Sequence, residues 1–69
     1  MNTVALTVNG EPRTLPEATT LDAVVAEVSA ANTGIAAAVN EAVVPRSSWR
    51  TTALLAGDRV EILTAVQGG

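Results

Sequence analysis

Cysteine and histidine are both absent from this chain of 69 residues. Their absence excludes disulfides, thiolate zinc sites, iron–sulfur ligation and the usual nucleophile–base pairs of enzymes. We therefore expect a protein that is not an enzyme and that binds no cofactor. Tyrosine and phenylalanine are missing as well, and the lone aromatic Trp49 argues against a platform for stacked bases.

Lysine is also absent, so four arginines supply all the positive charge of a chain with a net charge of −3. No basic stripe is present, and nucleic-acid binding has little electrostatic support. The longest apolar run, Ile35 to Val39, falls far short of the roughly 20 residues of a membrane-spanning helix. No basic region followed by an apolar stretch indicates a signal peptide at the N-terminus. We expect a cytoplasmic protein.

The first 15 residues have the pattern of a β-hairpin. Asn9-Gly10 is a strong signal for a type I′ turn, because both central residues of that turn need a positive φ. Pro12 lacks an N–H group, which places the returning strand, about Glu11 to Leu15, at a sheet edge. The strand before the turn is half-buried, with alternating apolar residues at Val4, Leu6 and Val8.

A helix of about ten residues follows, since apolar residues recur at helical spacing. Thr19 and Thr20 are both candidate N-caps, and Asp22 follows Thr19 at the spacing of a capping box. Asn32-Thr33-Gly34 is the predicted stop. The apolar stripe consists of Leu21, Val24, Val25 and Val28.

A second hairpin and a final strand complete the chain. Asn40-Glu41 is the predicted turn of the hairpin, and a single helical turn around Trp49 follows Pro45. We expect Trp49, Leu54 and Leu55 to be buried. The predicted strands are Ile35–Val39, Ala42–Val44 and a last strand with Val60, Ile62 and Thr64 on one face, entered through a turn at Ala56-Gly57-Asp58-Arg59.

This order of elements predicts an α+β fold of the β-grasp (ubiquitin-like) type. The first strand lies inside a mixed sheet of about five strands, the last strand runs parallel beside it, and the helix crosses one face. The domain spans residues 1–66, and residues 67–69 form a flexible Gly-Gly tail.

The tail residues Gly68 and Gly69 are the candidate functional site. A carboxylate is a poor electrophile and accepts a nucleophile only after activation, for example as an acyl adenylate formed from ATP. Glycine has no Cβ, so a tail of glycines can pass through a narrow channel to the nucleotide. Without cysteine the chain cannot hold sulfur as a persulfide, and sulfur would be carried as a thiocarboxylate on Gly69.

Several short segments together resemble the ThiS family, the sulfur carriers of thiamine biosynthesis, over essentially the whole chain. The resemblance is carried by Val8-Asn9-Gly10-Glu11, Ala38-Val39-Asn40, Val44-Pro45-Arg46 with Trp49, Gly57 to Ile62, and Gly68-Gly69.

The resemblance implies that an ATP-dependent enzyme of the ubiquitin-activating (E1-like) type adenylates Gly69. Sulfur derived from cysteine, through a donor such as a cysteine desulfurase, then gives the thiocarboxylate (1-thioglycine). The carrier passes this sulfur to thiazole synthase. Gly68 threads the tail into these enzymes.

Three alternatives remain open at this point. The small subunit of molybdopterin synthase has a similar fold, tail and chemistry, although it tends to be longer and to carry a proline pair where this chain has Thr64-Ala65-Val66. A ubiquitin-like protein modifier would use the same glycine tail to form isopeptide bonds. A non-covalent interaction module would not need the tail.

The outer face of the sheet is the predicted docking surface. If Leu6, Val60 and Ile62 face the helix, then Leu63 and Ala65 face away on a small, partly apolar surface. We expect Leu63→Asp to weaken binding to both partner enzymes while the fold stays intact.

Overall fold

The structure is a computed structural model that describes residues 2–29 and 34–64. Five strands form one mixed sheet in the order β2-β1-β5-β3-β4. An α-helix and a 3₁₀ helix accompany the sheet. The elements are β1 (Thr3–Val8), β2 (Glu11–Pro16), α1 (Leu21–Val28), β3 (Ile35–Val39), β4 (Ala42–Val44), the 3₁₀ helix Arg46–Thr51, and β5 (Arg59–Thr64).

The topology confirms the predicted β-grasp arrangement. Strand β1 pairs antiparallel with β2 and parallel with β5, so it lies inside the sheet. Strand β5 is central, because β3 pairs antiparallel with its other edge. The last strand of the chain is thereby held between two neighbours, which fixes the position from which the C-terminal segment leaves the domain.

Both hairpins turn through residues with positive φ. Asn9 and Gly10 have φ values of 51° and 82°, which confirms the predicted type I′ geometry. Asn40 and Glu41 have φ values of 53° and 71°, so the second hairpin uses the same geometry with a non-glycine residue at its second position. Strand β2 lies at the edge of the sheet, as its Pro12 predicts.

The core lies between the sheet and α1. Trp49 is buried, as predicted, and its Nε1–H donates to the Val44 carbonyl at 2.8 Å, which satisfies the one polar group of the ring. Leu21 and Leu54 are almost fully enclosed. The core consists of Leu6, Val8, Leu21, Val24, Val25, Ala37, Trp49, Leu54, Val60 and Ile62.

Two of the expected core positions differ in the structure. Leu55 was predicted to be buried and is 65% exposed. Consecutive side chains of an extended segment point in opposite directions, so Leu54 in the core places Leu55 outside. Val28, the last member of the helix stripe, is 36% exposed, because α1 ends at this residue.

The ends of α1 also differ from the prediction. Thr20 is the N-cap and its side chain makes no capping hydrogen bond, so the capping box predicted for Thr19 and Asp22 is wrong. The Thr19 hydroxyl donates instead to the Pro16 carbonyl at 2.6 Å. The helix ends before the predicted stop, because Ser29 already has extended backbone. Asn32 and Thr33 of that stop lie outside the described residues.

No helix in residues 2–29 and 34–64 is long and apolar enough to cross a membrane.

Candidate functional site

Gly68 and Gly69 lie outside the described residues, so the structure defines the site through β5, the strand that leads to them. Val60 and Ile62 on this strand are buried against the core, and they alternate with the exposed residues Arg59, Glu61 and Leu63. Thr64 is the last described residue of the strand and is in register with Ile35 on β3. The buried pair therefore anchors the strand from which the tail extends.

Side chains of the β3–β4 turn and of the turn before β5 hold the start of β5. The Arg59 N–H donates to Asn40 Oδ1 at 2.9 Å, and Asn40 Nδ2 donates to Asp58 Oδ1 at 3.0 Å. The second carboxylate oxygen of Asp58 accepts the Leu55 N–H at 2.8 Å. This chain of hydrogen bonds ties the turn before β5 to the β3–β4 turn, and it explains why asparagine and aspartate stand at these positions.

The far part of β5 is held by the other hairpin. Strand β1 ends at Val8, and its register with β5 covers only Thr7 with Arg59 and Val8 with Val60. Beyond that point the Ile62 N–H donates to Asn9 Oδ1 at 2.8 Å. A side chain thus provides the acceptor that a continuing β1 strand would have provided.

The outer face of the sheet presents exposed apolar side chains beside β5. Leu63 is 70% exposed and Val43 on β4 is 77% exposed, as the alternation in β5 predicted for Leu63. Together with Ala36, Ala38 and Glu61 they line a shallow groove on the face opposite α1. Ala65, the second predicted docking residue, lies outside the described residues.

The ion pair near this face contributes little to the stability of the domain. Arg59 and Glu41 approach to 3.8 Å, and both side chains are largely exposed to water. A pair of this kind contributes about 0–1 kcal/mol at most. Within the described ranges no cluster of His, Cys, Asp or Glu could hold a metal ion. The described residues therefore offer an exposed apolar groove and an anchored strand.

Sequence reasoning did not identify the roles of two asparagines. Asn9 and Asn40 were interpreted as turn residues, which their positive φ values confirm. Their side chains also reach β5, to Ile62 and Arg59 respectively. The turn pattern accounts for asparagine without these bonds, so the sequence contained no separate signal for them.

The sheet order, the parallel β1–β5 pairing and the single helix define a small β-grasp protein. A solved structure of this class, thiamine biosynthesis protein (ThiS) from Geobacter metallireducens, superimposes with a TM-score of 0.76. It is 29% identical in sequence, and the match covers 96% of this chain and 100% of that one. No curated protein matches the chain.

The model of the ThiS family matches residues 6–69, which include the two terminal glycines. The chain belongs to the ThiS family. Members of this family are small sulfur carrier proteins rather than enzymes.

Proposed function

We propose that this chain is a sulfur carrier of thiamine biosynthesis and that the carboxyl group of Gly69 carries the sulfur. The observation on which the proposal rests is the family match, which runs through residue 69 and so includes the Gly68-Gly69 pair. The likeness to a thiamine biosynthesis protein of the same fold supports it. Both findings favour this pathway over the molybdopterin one.

The proposed chemistry begins with activation of the carboxylate. An oxygen of the Gly69 carboxylate attacks the α-phosphorus of ATP, and pyrophosphate leaves with the electron pair of the broken P–O bond. The product is a glycyl adenylate, a mixed anhydride whose carbonyl carbon is electrophilic. The activating enzyme, of the E1-like type, supplies the nucleotide site and the catalytic groups, because the carrier has neither histidine nor cysteine.

Sulfur enters in the second step. A sulfide-level nucleophile, supplied by a donor system such as a cysteine desulfurase with a reductant, adds to the adenylate carbonyl. AMP leaves, and one carboxylate oxygen has then been replaced by sulfur as 1-thioglycine. The thiocarboxylate is a competent nucleophile, and we propose that thiazole synthase receives its sulfur.

Glycine at position 68 serves passage of the tail into the two enzymes. A residue without Cβ lets the backbone approach the walls of a channel closely. We expect Gly68→Val to lower the rate of adenylation strongly, while Gly68→Ala has a smaller effect. The substituted position lies beyond β5, so the urea midpoint of both variants should equal that of the parent chain. Equal rates for the valine variant and the parent would contradict a threading role.

The outer sheet face is the proposed docking surface for both enzymes. Leu63 and Val43 provide apolar area on a face that the helix leaves uncovered. A contiguous exposed apolar patch is a common mark of an interaction surface. Ala65 belongs to the same proposal through its spacing from Leu63.

Cytoplasmic localisation, where ATP and the partner enzymes are found, remains a prediction.

Intact-mass spectrometry tests the proposal directly. The purified chain is incubated with ATP, an activating enzyme from the same organism and a sulfur source. The expected product is heavier by the difference between a sulfur and an oxygen atom. Because the chain has no cysteine, no side-chain persulfide can produce a competing sulfur adduct.

A chain that lacks Gly69 is the matched control, and it should show no mass change. An unchanged mass of the full chain with a demonstrably active enzyme would overturn the proposal. Conjugates of higher mass in cell extract would instead identify a protein modifier.

A further inference from the structure

The bond between Asn9 and Ile62 joins the first hairpin to the strand that leads to the tail, 53 residues away. The Asn9 backbone N–H donates to the Val60 carbonyl at 2.8 Å, and Asn9 Oδ1 accepts the Ile62 N–H at the same distance. One residue therefore binds β5 twice, through its backbone and through its side chain. The bond to Ile62 is partly buried, which protects it from competing water.

The place of this double contact gives it a consequence for the tail. Strand β1 ends at Val8, which is its last residue in register with β5. Asn9 follows directly and makes the last two hydrogen bonds of the first hairpin to β5. Ile62 is only two residues before Thr64, where β5 ends. Asn9 therefore determines how far along β5 the pairing on the β1 side continues.

We infer that Asn9 is a positioning residue that holds the end of β5 through the Ile62 N–H and thereby fixes the position of Leu63 and Thr64, from which the chain continues to Gly69. The inference rests on the proposed function of the tail. Without the side-chain acceptor, the end of β5 is held on the β3 side alone, and Leu63 and Thr64 are less firmly placed. The activating enzyme then meets a carrier of which only a fraction is ready to bind.

Two substitutions separate the acceptor from the turn. Asn9→Gly removes Oδ1 but tolerates the φ of 51°, since a Gly-Gly pair also forms type I′ turns. Asn9→Asp keeps an oxygen at the same position and a residue that also favours this turn. The aspartate variant is therefore the conservative rescue, and both variants are expected to fold.

Amide hydrogen exchange followed by NMR gives the first measurement. The Ile62 N–H should exchange about tenfold faster in Asn9→Gly than in the parent, because its acceptor is gone, and should keep its protection in Asn9→Asp. Glu61 is the internal control, since its register partner is Ala38 on β3 and lies on the other side of the strand. Its exchange rate should be the same in all three chains.

Steady-state adenylation gives the second measurement, with the carrier as the varied substrate. For Asn9→Gly we expect KM to rise by about three- to tenfold while kcat is unchanged, since a smaller binding-competent fraction raises only the apparent affinity constant. Asn9→Asp should restore KM. A lower global stability at temperatures well below unfolding would not produce this division between KM and kcat.

Two outcomes would overturn the inference. One is an unchanged KM in Asn9→Gly, and the other is an equal rise in KM in Asn9→Asp. If the parent chain is not adenylated by an active enzyme, the proposed function fails together with the role of Asn9 in it. In that event faster exchange of the Ile62 N–H in Asn9→Gly would show that the fault lies in the proposed function and not in the hydrogen bond to Asn9.

Discussion

Trp49 is the one large ring in a core that otherwise consists of aliphatic side chains, and it is 3% exposed. Its loss should be costly in a domain this small. Trp49→Phe keeps most of the ring but leaves the Val44 carbonyl without the Nε1–H donor, a loss of about 1–3 kcal/mol. Trp49→Ala should cost about 3–5 kcal/mol, close to the whole stability of a small domain.

Urea unfolding followed by far-UV circular dichroism measures both changes, since the variants lack the fluorescent residue. Arg46→Gln is a suitable control, because the Arg46 guanidinium lies over the same ring at 5.4 Å on the exposed side. We expect this control to cost less than about 1 kcal/mol. A phenylalanine variant as stable as the parent would show that the hydrogen bond to Val44 contributes nothing.

At the level of single residues, burial followed periodicity for most of the helix stripe, and outside periodic segments the prediction was right for Trp49 and Leu54 but wrong for Leu55. Leu21, Val24 and Val25 follow the helical stripe and are buried. Leu54 and Leu55 lie outside any periodic segment, so no pattern distinguished the buried leucine from the exposed one. The separation comes from the extended backbone and from the Leu55 N–H, which is held by Asp58 Oδ2.

Among the elements, the β3–β4 hairpin has a strained residue in its turn. Glu41 has a φ of 71°, which costs energy for a residue with a Cβ. Glu41→Gly removes that strain and should raise the free energy of unfolding by about 1 kcal/mol. Urea midpoints from Trp49 fluorescence measure the change.

The control for this hairpin is Glu41→Ala, which removes the exposed ion pair with Arg59 but keeps a Cβ at positive φ. Its stability should stay close to that of the parent, because such a pair contributes little. Equal stabilisation by alanine and glycine would show that backbone strain at position 41 is not the cause.

The elements also show how far local sequence signals reach. Both hairpins were predicted, because a type I′ turn depends on two adjacent residues. The capping box of α1 was wrong because the N-cap is Thr20 and not Thr19, whose N–H and hydroxyl both donate to the Pro16 carbonyl. A contact from elsewhere in the fold also holds the start of the helix, since the Leu21 N–H donates to the Thr52 carbonyl at 2.9 Å. The Asn9–Ile62 bond spans 53 positions, and no local pattern reports it. The Gly68-Gly69 pair was recognised in the sequence as a motif, whereas the side-chain hydrogen bonds from Asn9 and Asn40 to β5 were not.

At the scale of the whole molecule, the fold separates two tasks. The helix covers one face of the sheet and creates the core, while the other face remains open to partners. The central position of β5 links that open face to the tail, since Leu63 lies on the strand that leads to Gly69. A partner that docked on this face, as proposed above, would contact the strand from which the chain continues to Gly69.

Two exposed leucines allow this arrangement to be tested with matched substitutions. Leu63 is 70% exposed on the outer sheet face, and Leu55 is 65% exposed in the connection before β5. Leu63→Asp should raise the Kd for the activating enzyme and for thiazole synthase by about 30-fold, as for an interface residue worth about 2 kcal/mol. Leu55→Asp introduces the same charge at the same exposure and should change neither Kd by more than about twofold. Isothermal titration calorimetry measures both, with circular dichroism to confirm that each variant is folded. If Leu55→Asp weakens binding as much as Leu63→Asp does, net charge governs association. If neither variant weakens binding, the open face is not the docking surface.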